Sequence, residues 1–155
     1  MENLKFEKEQ FKEGFKKRIK QFVLELIEFI DLLPQERTCN IIANQLLRSG
    51  TSIGANYFEA RAASSKNDFI NFFNHSLKSA NESKFWLEIL IEAKKCNEEK
   101  ARKLFKEVSE IANIFASSIL TLKGKRAGFN FGFLIFILIF AFWTLNLGRN
   151  IAWIS

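Results

Sequence analysis

The sequence predicts an all-α protein: an antiparallel up-down-up-down four-helix bundle over residues 1–123, then an apolar C-terminal helix expected to cross a membrane. Three observations carry this. Apolar residues recur at three- and four-residue steps with Lys and Glu opposite them, the pattern of amphipathic helices. A single proline and seven glycines leave too little turn material for a many-stranded β fold. After Arg126 the chain turns almost wholly apolar.

The first helix is expected from about Glu7 to Leu33, burying Phe11, Phe15, Ile19, Phe22, Val23, Leu26, Ile27 and Ile30. Leu33-Pro34 ends it, because proline restricts the residue before it and lacks the N–H that the ladder needs. Pro34 can then open a second helix, Gln35 to Ala63, whose apolar row is Cys39, Ile42, Leu46, Ile53 and Tyr57. Gly50 and Gly54 lie inside it, each costing about 1 kcal/mol of helix propensity relative to alanine. Two readings stand: close approach by a neighbouring helix, or a local kink.

Ser65 stands three residues before Asp68, a variant of the capping box, and Asn67 offers an alternative cap. The third helix should run to about Cys96 through Phe69, Phe72, Phe73, Leu77, Ala80, Leu87, Leu90 and Ile91. Asn97 caps the fourth, with Glu98 and Glu99 complementing its dipole. Its core face is Leu104, Phe105, Val108, Ile111, Phe115, Ile119 and Leu122. Amphipathic helices of this length joined by short connections must pack antiparallel.

Residues 124–155 form a basic linker and apolar tail. No charged side chain occurs from Ala127 to Gly148, and about 22 residues at about 1.5 Å each match a bilayer core, giving one span at about 128–148. Lys123, Lys125 and Arg126 before the run predict a cytoplasmic bundle tethered to the inner membrane, with Trp143 and Trp153 at an interface. Two other accounts of the tail stand beside this one. It is a buried fifth helix, which four helices of this size cannot enclose, or it is an unselected product of frame drift or read-through.

The net charge of +6 is split evenly. Residues 1–123 carry 20 Lys/Arg against 17 Asp/Glu, a net of +3, and the tail carries three cations and no acid. A mildly basic bundle is compatible with an RNA or DNA partner without requiring one. Cys39 and Cys96 are too few and too far apart for a zinc site, and read as buried thiols of a reducing compartment. The charged N-terminus carries no secretory signal.

Catalysis finds little support. His75 is the only histidine, no Glu-x-x-His occurs, and Gly50-x-x-x-Gly54 lacks the Lys-Ser/Thr of a phosphate loop. The chain is therefore expected to be non-enzymatic, with no cofactor and no metal. Arg48, Ser52, Asn56 and Glu59 form one polar stripe along the second helix, and Lys78 and Glu82 an i,i+4 pair on the third. Arg48 with Glu82, or Glu59 with Lys78, would fix helix register; a phosphate contact by Arg48 and a subunit interface are the alternatives.

The pattern Arg48-Ser49-x-x-Ser52-Ile53-x-x-Asn56-x-x-Glu59, with Ser65 to Phe69 and Leu77 to Leu87, resembles the bacterial 23S ribosomal RNA intervening-sequence protein family. Those four-helix bundle proteins are similar to the accessory variability determinant of diversity-generating retroelements. The resemblance covers about residues 10–122. It implies a homopentameric assembly with a basic surface that binds nucleic acid, and a reverse transcriptase as a partner in the retroelement branch. The matching motif residues are Arg48, Ser49, Ser52, Asn56, Glu59, Phe69, Lys78, Glu82 and Trp86, in structural or interface roles. The tail from Gly124 departs from the family. Candidate phosphate contacts are Lys12, Lys16, Lys17, Arg18 and Lys20 on the first helix, and Lys94, Lys95, Lys100, Arg102, Lys103 and Lys106 on the last two. The rival for these clusters is a solvated face interleaved with carboxylates. The rival for the whole protein is a membrane-anchored scaffold for protein partners.

Overall fold

Four helices account for almost all of the chain that the computed structural model describes, residues 2–124. They are α1 (Glu2–Asp31), α2 (Arg37–Arg61), α3 (Lys66–Glu92) and α4 (Glu98–Leu122). Each packs on its neighbours in chain order, and α4 closes back on α1, so the bundle is up-down-up-down. Among the described residues there is no strand, and no helix is long and apolar enough to cross a membrane. The apolar run, with its expected span at about 128–148, lies outside the described residues.

The helix ends follow local chemistry. Ser65 caps α3, its hydroxyl accepting from the Asp68 N–H at 3.1 Å, so Asn67 lies inside the helix. Asn97 caps α4 by accepting from the Lys100 N–H at 2.9 Å. Pro34 does not open α2; that helix begins at Arg37 behind Glu36, which is extended and makes no side-chain cap. The end of α3 differs most from expectation. It stops at Glu92, and Lys94 turns left-handed at φ 54°. Lys95 N–H then reaches the Leu90 carbonyl and Lys94 N–H that of Ile91, both at 3.0 Å, a Schellman closure with lysine where glycine is usual.

One aromatic ring from each helix meets at the core: Phe15, Tyr57, Phe73 and Phe115. Phe15 lies edge-on to Tyr57 at 5.3 Å and to Phe115 at 5.4 Å, and Phe73 edge-on to Phe115 at 5.1 Å. Such pairs add about 0.5–1.5 kcal/mol each beyond the area they bury. The Tyr57 hydroxyl donates to the Lys12 carbonyl at 3.2 Å, and burial raises its pKa above the ordinary phenol value.

Two seams differ in character. Between α2 and α3 the helices approach over small residues: Ser83 donates to Ser49 Oγ at 2.8 Å, Ser49 to the Leu46 carbonyl at 3.1 Å, and Ser76 to the Ile53 carbonyl at 3.2 Å. All three serines are buried with their hydroxyls satisfied. Between α1 and α2, Gly50 sits beneath Leu26, where a Cβ would stand 2.1 Å from Leu26 Cδ2. Helix α2 runs unbroken from Arg37 to Arg61, so the glycine serves close approach rather than a kink. Two expected core positions on α1 are corrected. Phe11 is 63% exposed and Ile27 is 38% exposed, because each sits at the margin of the row formed by Phe15, Ile19, Phe22 and Leu26. Cys39 is buried, whereas Cys96 is only partly covered.

Candidate functional site

The family-type motif sits on the α2–α3 seam. Arg48 Nη2 meets Glu82 Oε1 at 2.7 Å on the surface, directly above the buried Ser49–Ser83 bond. Glu59 and Lys78 do not form the alternative pair. The Arg48–Glu82 and Ser49–Ser83 contacts set an antiparallel register whose residue numbers sum to about 130, which places Lys78 near Ser52. Glu59 then lies about seven residues away along the axis, roughly 10 Å, beyond reach. Asn56 donates back to the Ser52 carbonyl at 2.8 Å, Phe69 packs on Phe73 at 4.3 Å, and Trp86 packs partly buried against the core. The Trp86 Nε1 finds no hydrogen-bond partner among the described residues. The motif therefore joins α2 to α3, and an exposed pair such as Arg48–Glu82 contributes about 0–1 kcal/mol.

The expected cations divide into two sets. Six are held by carboxylates: Lys12 by Glu9 (2.6 Å), Lys16 by Glu13 (3.2 Å), Arg18 by Glu107 (2.5 Å), Lys95 by Glu36 (2.7 Å), Arg102 by Glu98 (2.7 Å) and Lys103 by Glu25 (3.1 Å). Arg18 also binds Glu110, and its two nitrogens grip both oxygens of Glu107, which drives the guanidinium further from deprotonation. With Lys103–Glu25 this network stitches α1 to α4, whose backbones touch least. The Glu25 carboxyl is held below its usual range, first by the Gln21 amide and then by Lys103.

Five cations make no salt bridge among the described residues: Lys17 and Lys20 on α1, Lys94 just after α3, and Lys100 and Lys106 on α4. All are exposed. Lys100 and Lys106 line open grooves between α1 and α4, and Lys20 lines one between α1 and α2. His75 is exposed. Among the described residues no group of three or more His, Cys, Asp or Glu stands together as a metal site.

Exposed aromatic groups escaped the sequence reading. Phe58 on α2 is 43% exposed beneath Lys16 Nζ at 5.8 Å, and Phe85 on α3 is 50% exposed beside Trp86. Arg61, not among the expected cations, pairs with Glu13 at 2.9 Å.

Residues 14–117 match the family model of the 23S rRNA-intervening sequence protein. The chain belongs to this family. Among solved structures it is similar to a protein with unknown function from the S23 ribosomal protein family of Bacteroides thetaiotaomicron, at 37% identity and a TM-score of 0.64. That match covers 68% of this chain and 97% of the other. No curated protein matches the chain. Within the 23S rRNA-intervening sequence family match lie the whole Arg48-to-Glu59 motif, the Arg18 network and all five partnerless cations.

Proposed function

We propose that this intervening-sequence family protein is a non-enzymatic, oligomeric nucleic-acid-binding bundle. It holds phosphates through cations that the fold leaves uncompensated. The observation that carries this reading is the set of exposed cations Lys17, Lys20, Lys94, Lys100 and Lys106, none of them in a salt bridge among the described residues. A lysine already matched to a glutamate has little left to offer a phosphate, whereas a partnerless one releases condensed counterions when it binds. The family's name supports an RNA-related role. Exposed Leu24, Phe58 and Phe85 supply apolar surface for self-association, for which the sequence resemblance implies a pentamer. A reverse transcriptase as protein partner rests on that resemblance alone.

The test is fluorescence anisotropy of the full-length protein with structured RNA and duplex DNA across a salt series. Five phosphate contacts give a log–log slope near −4.5 on duplex, about a 500-fold loss between about 50 and 200 mM salt. Absence of binding at the lowest salt would remove the proposal.

A second reading is a membrane-anchored protein scaffold, supported by the uncharged run from Ala127 to Gly148. Membrane fractionation separates the two: full-length protein that stays in solution without detergent contradicts the anchor.

A further inference from the structure

The outward face of α1 carries a charge pattern that the helix itself does not account for. Lys17, Lys20, Leu24, Glu28 and Asp31 follow one another at steps of three and four, so they form one exposed row. None of the four charges is in a salt bridge among the described residues. Within the helix Lys20, Glu28 and Asp31 have no opposite charge three or four residues away. Lys17 has only Glu13 there, which is bound to Lys16 and Arg61. The order of the charges also opposes the helix dipole. Glu28 and Asp31 stand in the last turn, which holds no basic residue, whereas a helix C-terminus favours cations. The centre of the row is apolar, with Leu24 55% and Ile27 38% exposed.

The row is its own complement when reversed. Lys20 and Glu28 stand four residues on either side of Leu24, and Lys17 and Asp31 stand seven. A second α1 can be laid antiparallel on the first, two-fold about Leu24. Lys20 then comes level with the partner's Glu28 and Lys17 with the partner's Asp31, about 6 and 10 Å from the centre. Each contact occurs twice, as a self-complementary two-fold interface requires, so four attractions surround the facing leucines. The carboxylates at the end of each helix gain the cations that their own helix does not bring to them. Laid parallel, the same rows would set lysine against lysine and carboxylate against carboxylate, so the charges select the orientation as well as the partner. Leu24 also borders an apolar groove of about 270 Å³ with Val23, Ala55 and Phe58, which widens the apolar centre beyond one side chain.

We propose that two copies of this chain pair through α1, antiparallel about Leu24, with Lys17 and Lys20 of each copy on Asp31 and Glu28 of the other. The inference rests on the self-association reading above and names the surfaces that meet. It leaves the exposed Phe85 of α3 free for other contacts between copies. One helix pair is a small interface, so the pair should be weak and reversible. Lys17 and Lys20 then hold phosphates only in a separated copy, and a paired copy keeps Lys94, Lys100 and Lys106 for them. Duplex binding and pairing therefore oppose each other.

The test is disulfide trapping in full-length Leu24→Cys, oxidised mildly and read on a non-reducing gel. A two-fold axis at this position sets the two new thiols face to face, so a covalent dimer should form. The parent protein, with Cys39 buried and Cys96 partly covered, should give little, and so should Glu99→Cys, which is exposed on α4. Adding Lys17→Glu and Lys20→Glu to Leu24→Cys should lower the dimer fraction about tenfold, because four attractions become four repulsions. Adding Glu28→Lys and Asp31→Lys to that variant should restore the dimer, which a folding defect would not allow. Excess duplex DNA should lower the dimer fraction of Leu24→Cys; an unchanged fraction would overturn the shared use of Lys17 and Lys20. No covalent dimer from Leu24→Cys, or a dimer indifferent to charge reversal, would overturn the pairing and leave other contacts between copies standing. A parent protein that sediments as a monomer at every concentration would instead remove the self-association reading itself.

Discussion

Replacing Gly50 with alanine tests how α1 sits on α2. The new Cβ would stand 2.1 Å from Leu26 Cδ2, 3.6 Å from Leu26 Cγ and 3.9 Å from Phe22 Cε1. Carbon atoms in contact settle at about 3.5–4.0 Å, so Leu26 must retreat by roughly 1.5 Å. Leu26 and Phe22 are 0% and 1% exposed, so the retreat pushes on a filled core. Overpacking of this kind costs about 1–3 kcal/mol, and the better helix propensity of alanine returns about 1 kcal/mol. The net expectation is about 1 kcal/mol of destabilisation. Gly54 is the control: its Cβ would meet only Ile19 Cγ2, at 3.4 Å, so Gly54→Ala should keep the propensity gain and stabilise by up to about 1 kcal/mol. The two variants should therefore differ by about 2 kcal/mol. Urea titrations followed by circular dichroism resolve this difference. A Gly50→Ala protein as stable as Gly54→Ala would refute the close approach of Leu26 over Gly50.

Other consequences are as direct. Lys94→Gly relieves a left-handed lysine and should raise stability by about 1 kcal/mol in the same titration. Arg48→Ala breaks an exposed pair and should cost less than about 1 kcal/mol; a larger loss would mean that the pair does more than fix register. The depressed Glu25 carboxyl contributes stability above its unfolded pKa, near the ordinary carboxylate value, and loses it as pH falls through the lower folded value. The urea midpoint should thus fall on acidification below about pH 4.5, and less so in Glu25→Gln, the two proteins converging at low pH.

The helices and most of the core were legible because periodicity reports burial directly: Phe15, Ile19, Phe22, Leu26 and Phe115 all lie inside. The caps at Ser65 and Asn97 were legible because their acceptor oxygens stand at fixed offsets from the N–H groups they serve. Phe11 was misread because hydrophobicity alone does not say whether a partner helix is wide enough to cover a ring; opposite it α4 offers only Ile114 and Ser118. Ser76 and Ser83 were absent from the expected core row because serine carries no hydrophobic signal, yet Ser76, Ala80 and Ser83 form a buried stripe of small residues that matches the close α2–α3 approach. The division of the lysines was the least legible part. Arg18 and Glu107 are 89 residues apart, and only the folded register shows which charges are spent on each other.

That division gives the most direct test of the account. The salt dependence of duplex binding should be measured for full-length Lys100→Gln/Lys106→Gln and for Lys95→Gln/Arg102→Gln, two variants with the same change in charge. The first removes partnerless cations and should flatten the log–log slope by about 2, whereas the second removes ion-paired ones and should leave it nearly unchanged. Equal slopes in the two variants would contradict the claim that uncompensated lysines hold the phosphates.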